Sequence, residues 1–484
     1  MISAPPFCRP DRQSMEALRG MADRAFSRAA GAPLVSGNRV RLLQDARENY
    51  PAWLDAIASA RHHIHLESYF IREDATGREF AHALMQKARE GVQVRLICDW
   101  LGGAGKTSRR FWSLLRMADI ALRLFNPPRP DSPLGWLSRD HRKVLTVDSR
   151  VGFISGLCIA DAWKGSPEKN IPPWRDTGVE VRGPAVWDIE QAFAYVWAMT
   201  GRPISENAFS APDSPDPDGV DLRIVSSVPA TAGLFRLDQL VAALARKRLW
   251  LTDAYYAGTT VYAESLKAAA RDGVDVRLLV PGASDLPLLT PLSRAGYRPL
   301  IEAGIRIFEW NGSMLHAKTA VADGHWARVG STNLNIASWF GNCEMDVVIE
   351  NDAFASQMEA LYLQDMQNAT ELVLDLRHRI RAPEKAGRPS YSASGGSGSV
   401  GRVAAGAVRI GKTVGSAFTN RQVLEPAEAR LAAFTGALLV LLALLIVFFP
   451  RVLAWGLAAL LAWFGATLLY RSFRLFGRKP HDKT

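Results

Sequence analysis

Apolar residues along this chain follow two periods, recurring every three to four positions in some stretches and gathering into short β-branched and aromatic runs in others. Residues 50–60 and 79–90 carry the helical spacing, and residues 64–71 and 92–98 read as strands. Asp99, Trp100, Leu101, Gly102 and Gly103 follow as a loop at the carboxyl end of the second strand. Its glycines have the spacing of neither a P-loop nor a dinucleotide fingerprint, so the loop reads as a turn. Helices and strands in this rhythm predict an α/β domain with helices on a largely parallel sheet.

The pattern then starts again, with a helix over residues 237–246, a strand over 249–256 and a helix over 261–272. Ala88-Arg89-Glu90-Gly91-Val92-Gln93-Val94-Arg95-Leu96 returns as Ala270-Arg271-Asp272-Gly273-Val274-Asp275-Val276-Arg277-Leu278, at an offset of 182. A second match lies at an offset of 175, where the stretch from His141 to Asp148 and the stretch from His316 to Asp323 both read His-x-Lys-x4-Asp. Internal repetition on this scale predicts two copies of one α/β domain, residues 37–204 and 222–380. Residues 205–221, rich in Pro, Ser and Asp, read as the linker between them.

An apolar run of strand character follows each motif lysine, so His141 and Lys143, like His316 and Lys318, point to one face of a sheet. A neutral imidazole beside a fixed ammonium suits a phosphodiester: one group attacks phosphorus or protonates the leaving oxygen, and the other holds the phosphoryl charge. Two such pairs supply a nucleophile and an acid. Asp148 and Asp323 close the motifs at the strand ends, either as catalytic groups or as turn and salt-bridge residues. His62, His63 and His65 read as strand-edge residues rather than ligands.

The first thirty residues place Met15, Leu18, Met21, Ala25 and Phe26 at roughly helical spacing with Arg19, Arg24 and Arg28 between them. This segment, residues 1–36, is either a basic helix lying on a membrane or a helix packed on the domain behind it. The formal charge of +10 on this chain of 484 residues points to an anionic partner, either nucleic acid or an acidic membrane surface, and does not choose between them. Cys8, Cys98, Cys158 and Cys343 lie far apart in no metal-ligand spacing, and the N-terminus has no apolar signal-peptide core, which points to a reducing cytoplasmic environment.

Beyond Arg381 the composition shifts to a flexible basic linker, residues 381–430, rich in Gly and Ser as far as Gly401. Within it Val403, Ala407, Ile410, Val414 and Phe418 share one face with Arg402, Arg409 and Lys412 around them, as in an interfacial helix. Gly401, Gly406, Gly411 and Gly415 favour a poorly ordered tether instead. Residues 431–449 and 452–470 are two apolar runs separated by Pro450 and Arg451. Each is long enough to cross a hydrocarbon core of about 30 Å, which predicts two transmembrane helices in a hairpin. Trp455, Trp463 and Tyr470 suit the interfaces, and Arg471, Arg474, Arg478, Lys479 and Lys483 place the tail, residues 471–484, in the cytoplasm. The catalytic halves then face the cytoplasm too.

These motifs resemble the phospholipase D superfamily, and within it the bacterial cardiolipin synthases, over roughly residues 37–374. Trp174-Arg175-Asp176-Thr177 is similar to a signature of those synthases, and Gly330-Ser331-Thr332-Asn333 and Asn342-Cys343-Glu344 are similar to the family's Gly-Ser-x-Asn and Asn-x-Glu. Cys158 stands where the family usually has Asn, and Ala337 where many relatives carry Arg.

The resemblance implies two phospholipase D-like domains sharing one active site, with no metal or other cofactor, and exchange at phosphodiesters through a phosphohistidine. It implies His141 as nucleophile and His316 as acid/base. Lys143, Lys318, Asn333 and Ser331 would bind the non-bridging oxygens. Each histidine also needs an orienting carboxylate, for which Asp176 and Glu344 are the candidates. The expected activity is transfer of a phosphatidyl group from phosphatidylglycerol, or alternatively phosphatidylethanolamine, to give cardiolipin at the inner face of a bacterial cytoplasmic membrane. Phospholipid and an anionic membrane are thus the expected partners. Two alternatives use the same histidines: a hydrolase with water as acceptor, and a nucleic-acid phosphodiesterase. The latter has no need of a membrane hairpin, and no nucleic acid is expected. A non-catalytic scaffold would leave both His-Lys pairs without a reason.

Overall fold

The computed structural model describes residues 12–374 except 129–136, 206–207, 286–292 and 295, together with 380–381 and scattered positions from 437 to 469. The repeat takes the form of two runs of seven strands in matching order within one sheet. Among the described residues that sheet has sixteen strands, with Ala369–Leu374 and Ile380–Arg381 extending its second-half edge. The first half contains β1 (Val35–Gln44), β2 (His63–Ser68), β3 (Gln93–Asp99), β4 (Ala121–Phe125), β5 (Lys143–Val147), β6 (Val151–Ser155) and β7 (Thr177–Arg182). They lie side by side as β1-β7-β6-β5-β2-β3-β4. The second half contains β8 (Val220–Ser227), β9 (Arg248–Thr252), β10 (Asp275–Pro281), β11 (Arg306–Trp310), β12 (Thr319–Ala322), β13 (Trp326–Gly330) and β14 (Glu344–Glu350). Their order, β8-β14-β13-β12-β9-β10-β11, repeats the first.

The sheet is mixed, not largely parallel as the alternation of helices and strands suggested. Only β2·β3 and β3·β4, with β9·β10 and β10·β11, run parallel. Between β2 and β3 the chain returns through the helix Ala75–Arg89, and such a crossover restores strand direction. Between β5 and β6 it turns instead through Asp148 and Ser149, both at positive φ, and the strands pair antiparallel.

Local chemistry explains the helix boundaries. Asp74 caps Ala75–Arg89 by accepting from the Gly77 amide, and Lys87 and Arg89 lie in its last turn, where the helix dipole favours cations. Phe80 and Leu84, four apart, bury one face against Tyr50 and Trp53 of the helix Asp45–Ser59. Truncating Phe80 to Ala would cost about 3–5 kcal/mol.

The two halves meet edge to edge, where β1 pairs antiparallel with β8 through Val35 and Leu222 and through Asn38 and Val220. Beneath that seam one apolar core draws on both halves, with Val144, Ile154 and Val179 packed among Leu222, Leu315, Val329 and Val347. This shared core fixes one half against the other, which the site requires.

The N-terminal segment forms the helix Arg12–Ala30, packed on the second half. Phe26 and Ala30 join the core around the helix Gly233–Leu244, and Asp23 pairs with the buried Arg223 of β8. Of the two readings of this segment, domain packing is the one observed. Among the described residues no helix is long and apolar enough to cross a membrane. The hairpin expected at 431–470 lies outside the described residues but for the scattered positions. The 381–430 linker beyond Arg381, and the 471–484 tail, lie outside them altogether.

Candidate active site

Both motif histidines stand just before a central strand, and a backbone bond from the other half holds each in place. His141 N donates to Cys343 O at 2.9 Å and Cys343 N to Arg139 O at 2.8 Å, immediately ahead of β5 and β14. The same stitch recurs where His316 N donates to Arg175 O at 2.7 Å and Arg175 N to Met314 O at 2.9 Å. The residue after each stitch is an acid at the start of β14 or just before β7. Each histidine is therefore laid beside the other half's carboxylate.

His141 Nδ1 lies 3.0 and 2.9 Å from the two oxygens of Glu344. His316 Nδ1 lies 2.8 Å from Asp176 Oδ2. A carboxylate on Nδ1 keeps the ring proton there and puts the lone pair on Nε2, the arrangement a nucleophile or base needs. Both acids are fully buried and themselves held. Glu344 accepts from Ser331 Oγ at 2.6 Å and Asn342 Nδ2 at 3.2 Å, while Asp176 accepts from Trp163 Nε1 at 2.9 Å and the Thr177 amide at 2.8 Å. Gly156, at the Ser331 position of the first half, makes room for this, since a Cβ there would stand 2.1 Å from Asp176 Oδ1.

The lysines are buried beside their own histidines. Lys143 Nζ donates to the His141 carbonyl and Lys318 Nζ to the His316 carbonyl. Lys318 Nζ is also 3.0 Å from His316 Nδ1. With that nitrogen's proton aimed at Asp176, the approach is a contact of charge with ring rather than a hydrogen bond. Tyr69 and Tyr255 stand against the two pairs, their rings 5.1 Å from His141 and 5.8 Å from His316.

Burial sets the protonation states. It lowers His316 to about 4, with the Lys318 charge adding to the effect and Asp176 opposing it. Burial lowers Lys318 to about 8 against the attraction of Asp176, and it also lowers Lys143. Burial raises Glu344 despite the neighbouring Lys143. Asp176 is the exception: burial raises it, but His316, Lys318 and Trp163 outweigh that and hold it below the usual range. A neutral His316 donating to an anionic Asp176 satisfies both directions. Two buried ammonium groups beside the histidines form a receptor for an anion.

Both histidines open onto one cleft of about 940 Å³, lined also by Tyr69, Cys158, Trp163 and Trp174. The structure therefore brings together His141, Lys143, His316, Lys318, Asp176 and Glu344. Asn333 is nearly buried with no partner for its Oδ1. Ser331 serves differently from the phosphate contact expected of it, because its hydroxyl is committed to Glu344. Asp148 and Asp323 do not join the cluster. Asp148, beyond the far end of β5, accepts from the amides of Arg61, His62 and His63 at 2.8 Å, and Asp323 accepts from those of Arg246, Lys247 and Arg248 at 2.8–2.9 Å. They clamp the loops that enter β2 and β9, as turn residues.

Sequence reasoning missed Trp163, Tyr69 and Tyr255, for which no local pattern existed. It also misplaced His63 and His65, which are buried on the interior strand β2 rather than at an edge. With Glu190 they make, among the described residues, a group of metal-type donors within 4.8 Å of one another. His63 Nε2 is 2.8 Å from Glu190 Oε1, and the Arg95 guanidinium, 3.2 Å from His65 Nε2, directs that ring's proton to Nδ1. Such a ring is no ready ligand, and the group reads as a buried hydrogen-bond network.

Comparison with known proteins gives a consistent picture. The family described as cardiolipin synthase, PLD-like domain, matches residues 53–161 and 241–366. A cardiolipin synthase of Halalkalibacterium halodurans is 30% identical over 369 residues, covering 74% of this chain and 72% of that one. Cardiolipin synthase A of Pseudomonas aeruginosa is 31% identical over 376 residues, covering 75% and 74%. Among solved structures, phosphatidylserine synthase of Haemophilus influenzae superposes with a TM-score of 0.59 at 15% identity, over 72% of this chain and 91% of that one. A polyphosphate kinase of Porphyromonas gingivalis superposes with a TM-score of 0.51 at 13% identity, over 77% and 53%. These two likenesses concern the fold.

Proposed function

The chain belongs to the cardiolipin synthase family of phospholipase D-like phosphatidyltransferases, and we propose that it moves a phosphatidyl group from one phosphatidylglycerol to another through a phosphohistidine. The observation that carries this reading is the crossed pairing, in which two histidines on one cleft are each oriented by a carboxylate of the opposite half.

His141 Nε2 attacks phosphorus; the P–N bond forms as the P–O bond to the headgroup glycerol breaks. His316 delivers a proton to the departing oxygen. Lys143, Lys318 and Asn333 hold the non-bridging oxygens, and the charge of the arriving phosphodiester raises His316 from its low value in the free enzyme. In the second step His316 takes the proton from the acceptor's hydroxyl, that oxygen attacks phosphorus, and the P–N bond breaks. Phosphatidylethanolamine is the alternative donor. The apolar runs 431–449 and 452–470 would tether the enzyme to the inner face of the cytoplasmic membrane.

The test is mass spectrometry of the lipids after incubation of the purified protein with mixed phosphatidylglycerol and phosphatidylethanolamine vesicles, with chelator and no added metal. Cardiolipin with released glycerol or ethanolamine establishes transfer and names the donor. Phosphatidic acid alone makes the protein a hydrolase, and unchanged lipid refutes the proposal.

A further inference from the structure

The two halves differ in length at one place. The offset between them is 175 from His141 to His316 and still 175 from Gly156 to Ser331, but it is 168 from Asp176 to Glu344. Strand register agrees, since Ser155 pairs with Gly178 as Gly330 pairs with Asp346. The first half therefore carries seven more residues between Ser155 and Gly178 than the second carries between Gly330 and Asp346. Duplication accounts for the rest of the site, but not for these.

The longer connection builds a small hairpin on the rim of the cleft. Ser166 and Ile171 exchange backbone bonds of 2.8 and 2.9 Å, with Asn170 in the left-handed region at φ 53°. Gly165 sits at φ +69°, where a Cβ would stand 2.6 Å from the Ile171 carbonyl, so the turn is tightly closed. Its base is anchored on both sides: Trp174 N donates to Ala162 O at 3.1 Å, and Ser313 Oγ of the second half donates to Pro173 O. The tip faces outward. Ile171 is 51% exposed, Pro167, Glu168, Lys169 and Pro173 are also exposed, and Lys164, paired with Glu79 at 3.1 Å, flanks them. An exposed isoleucine flanked by prolines, with charged side chains of both signs beside it, on the rim of a cleft whose histidines are buried, has a use if that rim meets an apolar phase.

We propose that this hairpin, centred on Ile171, is where the cleft docks on an anionic bilayer. The inference rests on the phospholipid reading above. A lipid phosphodiester must reach histidines inside the cleft while its acyl chains remain in the membrane, so the rim has to sit in the headgroup layer. Ile171 enters the acyl boundary, and Lys169 remains at the phosphates, as in other interfacial segments. The charge of the chain, +10, suits the same surface.

The experiment uses the full-length protein reconstituted in vesicles of phosphatidylglycerol and phosphatidylcholine that carry a quencher on the acyl chain. A fluorophore is attached at Ile171→Cys or, as a control beyond the opposite end of β5 from the cleft, at Arg150→Cys. Quenching at 171 and not at 150 is expected. Equal quenching at both positions, or none at 171, overturns the proposal. In parallel, Ile171→Asp should lower turnover of vesicle phosphatidylglycerol about tenfold while sparing a short-chain, monomeric phosphatidylglycerol. An equal loss on both substrates would make the hairpin a wall of the cleft and not a docking element. Were the unaltered protein to turn over neither lipid, the reaction proposed above would fail, and quenching would still decide the docking.

Discussion

His316 Nδ1 lies 2.8 Å from Asp176 Oδ2, although 140 residues and the boundary between the halves separate them. With His141 and Glu344, 203 residues apart, the relationship is reciprocal. Neither half alone holds a histidine with its carboxylate. A shared site is therefore a matter of chemistry as well as proximity, because each ring takes its tautomer from the opposite domain.

Asp176→Asn and Glu344→Gln keep the shape of the site and remove the charge that fixes each ring. Each should lower kcat by about 10²–10⁴-fold with the thermal midpoint nearly unchanged. Steady-state kinetics of the transfer reaction, with thermal denaturation beside it, checks this. Wild-type kcat in either variant would mean that its histidine needs no orienting group.

Lys318, lowered to about 8, loses its proton as pH rises through that value, and the free site loses half of its phosphate-binding charge. The quantity that reports the free enzyme, kcat/KM, should fall above about pH 8, and kcat should fall later, because bound phosphate raises the lysine again. Lys318→Arg, which stays charged, should have a lower maximum and no alkaline limb between pH 8 and 10. An unchanged limb in that variant would assign the titration to another group.

His316 is ordinarily near 6.5 and lies at about 4 when folded. Above 6.5 it is neutral in both states and contributes nothing to pH dependence. As pH falls from 6.5 towards 4 the unfolded chain takes the proton first, so folding stability declines across that window by up to roughly 3 kcal/mol. His316→Gln should lose less stability than wild type between pH 7 and 5, measured as thermal midpoints in detergent. Identical losses would place the acid sensitivity elsewhere.

What could be read from the chain in advance follows the range of the interactions. The His-Lys pairs were legible because they are local, two residues apart on extended backbone, and because they occur twice. Asp176 and Glu344 were legible as the right kind of residue, but which acid serves which histidine depends on the apposition of β7 and β14 with the approaches to β12 and β5. The burial of His63 was hidden because its partner, Glu190, lies 127 residues away on the helix Val186–Met199. Sheet direction was misjudged because the helical rhythm of the first hundred residues describes only the parallel part of each half. Trp163 and Arg175 act through contacts that no spacing rule anticipates.

Arg175 holds the frame in which Asp176 works. Its Nε and Nη2 reach the two oxygens of Asp365 at 2.8 and 2.9 Å, joining the first half to the helix Asp352–Met366 of the second. Its Nη1 donates to the Asp176 carbonyl and, at 3.0 Å, to Thr177 Oγ1. Both partners of the ion pair are buried, so Asp365→Ala leaves the guanidinium with Asp45 alone, 3.2 Å from Nη1, and should cost up to about 3–5 kcal/mol of stability. The double variant Arg175→Met with Asp365→Leu removes both charges and should regain most of that loss, since apolar residues of similar volume often replace a buried pair at little cost. Activity should not return with it. Without Arg175 the Asp176 carbonyl keeps only the Asp45 amide, at 3.0 Å, and kcat should stay at least about tenfold down, a loss of roughly 1.4 kcal/mol in transition-state stabilisation. Thermal midpoints and kcat for the wild type, Asp365→Ala and the double variant separate the two effects. If kcat recovers in step with stability, Arg175 is a structural strut; if it does not, Arg175 positions the carboxylate that orients His316.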